Sequence, residues 1–200
     1  MNRSSDMRLT IVDTLWPRTG LVRDIACVGL GALLTALLTR IEIPLMPVPI
    51  TGQTFAVLLV GALLGSTRGA LSMIVYLGSG LMGAPVFSSA GWGLSHLSGP
   101  TGGYLVGFVL AAFLVGWLSE RGWDRKVVAT VFAMSLGMVV IYLTGCLWLA
   151  HFVGWDAVLG VGVFPFLIGD GLKIACAAIA LPSGWALFSL QRASGLGQRE

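Results

Sequence analysis

The chain has 200 residues, 56% of them apolar and only 10% charged, where a soluble domain carries about 25% charged residues. A mean hydropathy of +0.89 excludes an ordinary soluble fold. At roughly 20 residues per span there is room for about six membrane helices and short loops.

The first twenty residues are mixed polar, with no compact apolar core before a small-residue cleavage site. They read as a cytoplasmic N-terminal segment, and 21–39 as a retained first span rather than a cleaved leader. Within that span Ala32 and Ala36 share one helix face, with Gly29 a turn earlier. Such a small-residue stripe admits another helix closely, whether from the same chain or from a partner. Further spans fall near 52–66, 69–83, 103–119, 127–150 and 161–190, the last with some interfacial helix, and 192–200 form a tail. The chain is thus expected to be an all-α integral membrane protein with a single membrane domain over 1–200 and six transmembrane helices. Spans two and three are short, and a re-entrant hairpin around Arg68 is the competing topology.

Charge sets the orientation. Arg3, Arg8, Arg18 and Arg23 precede span one, Arg68 separates spans two and three, Arg121, Arg125 and Lys126 separate four and five, and Arg192 and Arg199 follow six. That places ten of the twelve basic residues on one side, with Arg40 opposite and Lys173 inside the membrane. The bias assigns both termini to the cytoplasm. The net charge of +3 therefore reflects topology and implies no nucleic-acid partner.

Three outer connectors remain. The first, Arg40 to Thr54, holds Pro44, Pro47 and Pro49. Proline fixes φ and pushes its predecessor to extended geometry, so the segment is not helical. It is also apolar, which fits either a cover packed over a cavity or a rigid connector. The second, Gly83 to Tyr104, carries no formal charge but has four serines, three aromatics and many glycines, a lining suited to a small, neutral, polar ligand. Thr101 is placed to cap the fourth span. The third, near Gly154-Trp155-Asp156, reads as an aromatic interfacial turn.

Chemistry-bearing motifs are sparse. The chain has no GxxxxGK[ST] loop, no GxSxG elbow and no HExxH, so it does not hydrolyse ATP by itself and is not expected to be an enzyme. Cys27, Cys146 and Cys176 stand singly in apolar runs and read as inert buried thiols. His96 and His151 lie near outer span ends without an evident triad or metal set, and no cofactor is expected. Against this background Asp170 and Lys173 are the only charges from Ala157 to Gln191. A charge at bilayer depth costs about 2.5–3.5 kcal/mol on insertion scales and is usually functional. Spaced i, i+3, the two heads share a helix face. The pair either cancels itself or offers an acceptor beside a donor to a ligand; amides, ureas, amino acids and carboxylates all remain open.

The run Pro47-Val48-Pro49-Ile50-Thr51-Gly52-Gln53-Thr54, then Gly83-Ala84-Pro85-Val86-Phe87, then Gly99-Pro100-Thr101-Gly102-Gly103-Tyr104, then Gly169-Asp170-Gly171-Leu172-Lys173 resembles BioY, the biotin-binding S component of energy-coupling factor transporters, over about 25–185. The resemblance implies a six-helix protein of the bacterial plasma membrane. It would capture biotin and deliver it inward with a transmembrane coupling subunit and two ABC-type ATPase subunits. It implies that Asp170 and Lys173 contact the ligand's bicyclic head and that Ala32 and Ala36 dock the coupling subunit. Trp92 or Tyr104 would cover the rings, and Gln53 would add a polar contact. The chain departs from the family in having no asparagine beyond Asn2 and no Arg or Lys across 69–120, which leaves the contact to the ligand carboxylate unassigned. An S component for another small vitamin is one alternative; a proton-coupled carrier or channel is the other.

Overall fold

A computed structural model describes residues 10–16 and 20–196. Arg3, Arg8, Arg18 and Arg199, used above to orient the chain, lie outside the described residues. The helices are α1 (Ile11–Leu15), α2 (Leu21–Leu38), α3 (Gln53–Leu64), α4 (Ser66–Leu81), α5 (Gly93–Leu97), α6 (Gly102–Ser119), α7 (Val127–Val153), α8 (Trp155–Gly162) and α9 (Leu167–Leu196). The stretches Leu21–Leu38, Gly102–Ser119, Val127–Val153 and Trp155–Leu187 are long and apolar enough to cross a membrane, and Gln53–Leu64 is a shorter apolar helix. The described residues are all-α apart from one two-stranded ribbon.

Glycine explains how the short α3 and α4 pack. A Cβ on Gly61 would sit 2.6 Å from the Ala112 carbonyl oxygen, and one on Gly69 would sit 2.9 Å from Gly61 Cα. Helices α3, α4 and α6 therefore touch nearly backbone to backbone, the packing that small residues permit in membranes. The chain reverses between α3 and α4 at Gly65, whose φ of 87° favours glycine.

One end of the bundle collects the charged groups. Thr10 and Asp13 cap α1 reciprocally, and Asp13 also receives Arg23 at 2.7 Å and Arg68 at 2.8 and 2.9 Å. Burial pushes the Asp13 carboxyl up, but the hydrogen bonds from Arg23, Arg68 and Thr10 outweigh it and hold the pKa below the usual value. Glu120 accepts both the backbone N–H and the hydroxyl of Ser66. Trp185 donates to Asp124 at 2.6 Å, beneath the Arg125 guanidinium. Arg68 thus stands in the first turn of α4, at the charged end.

The opposite end is built from the connectors. Strands β1 (Glu42–Ile43) and β2 (Ile50–Thr51) pair antiparallel, Glu42 opposite Thr51, so the proline-rich segment is a hairpin. The second connector contains a 3-10 turn at Ser88–Ala90 and the short α5. Arg40 donates to the Pro85 carbonyl, and Glu42 accepts the Ser89 N–H at 2.8 Å, tying hairpin and connector together. Ser89 and Ala90 have φ of 52° and 55°, a left-handed geometry that costs a non-glycine residue energy unless neighbours enforce it.

Four expectations are corrected. The third connector is no simple turn: after Gly154 the chain runs straight into α8. The helix then breaks at the 3-10 turn Phe164–Phe166, where Pro165 supplies no N–H, so the last long helix starts at Leu167. Thr101 holds the N-cap position of α6 without a side-chain capping bond. Cys176 is exposed on the bundle surface, whereas Cys27 is buried and Cys146 is intermediate. Ala32 is buried in the chain's own core and Ala36 is half-buried, while Leu30, Leu33 and Leu37 form the exposed side of α2.

Candidate functional site

The break before α9 positions the site. It puts Asp170 in the first turn of that helix, where the positive end of the helix dipole favours a carboxylate. Lys173 follows one turn later and donates to Asp170 Oδ1, Thr54 Oγ1 and the Thr51 carbonyl, each at 2.8 Å. An ammonium has three N–H donors, and all three are engaged by its own neighbours. Asp170 is 5% exposed. Its Oδ1 also receives Thr54 Oγ1 at 3.3 Å, and the Tyr142 hydroxyl from α7 donates to Oδ2. Among the described residues Oδ2 has that one donor, and a carboxylate oxygen can accept a second.

These groups form one wall of a partly open cavity. Val48, Pro49 and Thr51 of the hairpin, Leu105 and Phe108 of α6, Ile141 of α7 and Phe166 supply much of the remaining lining. A mostly apolar concavity with a few convergent polar groups is the usual form of a small-molecule site. Nearer the mouth a second hollow runs between the hairpin residues Pro44–Pro49 and Ser88, Ser89, Ser95, His96 and Thr101.

The structure brings Asp170, Lys173, Gln53 and Tyr104 together on this cavity. Gln53 is held rigidly: its amide donates to Tyr76 Oη at 2.6 Å and its carbonyl accepts Thr51 Oγ1 at 2.9 Å. Tyr104 presents its ring while its hydroxyl donates to the Gly162 carbonyl at 2.8 Å. Trp92 is not brought in: it is 60% exposed and absent from the cavity wall, because it precedes α5 on the outer surface. Ala32 and Ala36 lie elsewhere, on α2.

Sequence reasoning did not place Thr54, Tyr142, Ser88 or His96 in the binding site. Thr54 closes the proline-threonine motif already singled out. Tyr142 carried a usable signal, since a tyrosine hydroxyl deep in an apolar helix needs a partner. His96 carried none, because only the fold of the 83–101 connector turns it inward.

The sequence and the fold have known counterparts. The model of the BioY family matches residues 4–190. The chain belongs to the BioY family. Among BioY relatives, the probable biotin transporter of Pyrococcus horikoshii is 39% identical over 157 residues, covering 78% of this chain and 93% of that protein. The biotin transporter of Thermotoga maritima is 37% identical over 160 residues, covering 79% and 93%. A crystal structure of the S-component for biotin from an ECF-type ABC transporter superposes with a TM-score of 0.69 at 23% identity, covering 83% of this chain and 94% of that one. At that identity the match speaks for a shared fold. A BioY chain with apolar helices of this length is a membrane protein.

Proposed function

We propose that this protein is the biotin-capturing S component of an energy-coupling factor uptake transporter, a transport subunit and not an enzyme. The observation that carries the reading is the Asp170–Lys173–Thr54–Tyr142 cluster on an apolar cavity, in a chain whose BioY relatives are biotin transporters. Asp170 Oδ2 accepts a ureido N–H. The ureido carbonyl takes a Lys173 donor, which must leave Thr51 or Thr54 to meet it. Phe108, Ile141, Phe166 and the Tyr104 ring supply apolar surface for the thiophane ring.

The remaining reading follows from topology. Helices α2, α3, α4, α6, α7 and the last long helix make six spans of a single membrane domain in the bacterial plasma membrane. Arg23, Arg68 and Arg125 at the charged end mark the cytoplasmic face, with 1–20 and 192–200 on that side. The partners are a transmembrane coupling subunit and two ABC-type ATPase subunits, docking on α2. There Leu33 and Leu37 are exposed beside half-buried Ala36, and Ala32 supports that face from behind.

Titration calorimetry of the detergent-purified chain against a panel of free vitamins tests the assignment. Biotin should bind in preference to the others. Tight binding of a different vitamin, or proton-coupled biotin uptake by the lone chain in vesicles, would replace this reading with one of its rivals.

A further inference from the structure

Among the described residues Lys173 is the one lysine or arginine on the cavity wall, and its three donors are already engaged by Thr51, Thr54 and Asp170. The donor that leaves Thr51 or Thr54 is taken by the ureido carbonyl, so the ligand's own carboxylate needs a donor elsewhere. Pro49, Ser88, His96 and Thr101 line both the inner cavity and the hollow at its mouth, so they mark the border between the two. There Ser88, 5% exposed, places its Oγ 3.4 Å from His96 Nε2. The imidazole is fixed in position. It stacks on Phe87 at 5.1 Å between ring centroids, Phe87 is fully buried, and a Cβ on Gly91 would fall 2.2 Å from His96 Nδ1.

We propose that Ser88 and His96 form a carboxylate subsite at the outer end of the ligand cavity. His96 Nε2–H donates to Ser88 Oγ, which turns the Ser88 O–H toward the ligand carboxylate, and the imidazole takes up a proton from solvent as that anion docks. The inference rests on the biotin reading and assigns the valerate end of that ligand.

The charge environment supports it. Phe87, Ser88 and Gly91 in the connector stand against the ring, and Pro49, Ser95 and Thr101 line the same hollow, all without a formal charge. Among the described residues no carboxylate pairs with His96. The charged groups tied to the same connector are engaged elsewhere: Glu42 on Ser89 and Arg40 on Pro85. Across the cavity stand Tyr104, Tyr142, Asp170 and Lys173. Burial holds the His96 pKa below its ordinary value, so near neutral pH the ring is uncharged. A docked carboxylate favours the charged form and raises that pKa. Binding then takes up protons, and affinity rises as pH falls through the ligand-bound pKa toward the free one.

The experiment is titration calorimetry of the full-length protein in detergent with biotin and with biotin methyl ester, at about pH 8 and about pH 5.5. Wild type should bind biotin about tenfold tighter than the ester, the size of one hydrogen bond to a charged group. Biotin affinity should rise on acidification while that of the ester stays level. In His96→Gln the preference should fall to within about twofold and the pH dependence should vanish, with ester affinity kept; Ser88→Ala should reduce the preference in the same way. The subsite is overturned if both variants keep the wild-type preference, if they lose biotin and ester equally, or if wild type does not discriminate the two. Failure of wild type to bind either molecule would instead overturn the biotin reading itself.

Discussion

Replacing Lys173 with methionine separates recognition from charge cancellation. The substitution keeps the apolar stem and deletes three donors at 2.8 Å, leaving Asp170, 5% exposed, with Tyr142 and Thr54 alone. Breaking a buried pair by removing one partner costs about 3–5 kcal/mol. The two remaining hydroxyl donors put this case near the lower end, about 3 kcal/mol. Adding Asp170→Asn removes the stranded charge and should restore most of that loss. Thermal unfolding in detergent, with and without biotin, reads both effects. Ligand at about 1,000 times its Kd adds about 4.1 kcal/mol to wild type. If Lys173→Met weakens binding about a hundredfold, the same ligand concentration adds only about 1.4 kcal/mol. A lowered midpoint in Lys173→Met that Asp170→Asn restores, together with a full biotin-induced shift in the single and the double variant, would refute the reasoning, because the pair would then only neutralise itself.

The other expectations concern the scaffold. Glu42→Ala should release the Ser89 tie and speed biotin dissociation about tenfold, a loss of about 1.4 kcal/mol, with little change in the midpoint; a chase experiment showing an unchanged off-rate would remove the hairpin's role as a cover. Gly61→Ala should destabilise by about 1–3 kcal/mol because the new methyl meets the backbone of Ala112. Gly78→Ala, with open space around it, should be neutral or stabilising by about 0.5–1 kcal/mol, and equal midpoints for the two variants would contradict the packing described. Asp124 is buried, and among the described residues its Oδ1 lacks a partner; burial pushes its pKa to about 6, against the opposing pull of Trp185 and Arg125. Its folded pKa is raised, so its contribution is most favourable below the unfolded value and is lost as pH rises through about 6. Asp124→Asn should therefore raise the midpoint at pH 8 by about 2–4 °C, the effect of about 1 kcal/mol, and not at pH 4; the same gain at both pH values would exclude titration as the cause.

Particular elements show what could be read from the chain alone. The apolar runs located the long helices, since spans near 21–39, 103–119 and 127–150 meet α2, α6 and α7 within a few residues. The three prolines correctly excluded helix before Gln53, yet could not announce a strand pair, because pairing depends on Glu42 finding Thr51 across the hairpin. The break near Pro165 was missed because periodicity continues through it, and only packing shows where one helix stops and the next begins. Ala32 and Ala36 share one face of α2, but one-dimensional spacing does not say which neighbour covers it.

Composition and the isolated acid–base pair were enough to specify a membrane protein with a polar centre. Both follow from local physics: an uncharged run is soluble in lipid, and a charge within one demands a counterpart. The partners of that centre came only with the tertiary structure. Thr51 and Thr54 lie more than a hundred residues from Lys173 in the chain, and Tyr142 and His96 belong to elements whose facing is set by helix packing. A side chain's direction across a cavity is a property of the assembled bundle, and no segment encodes it by itself.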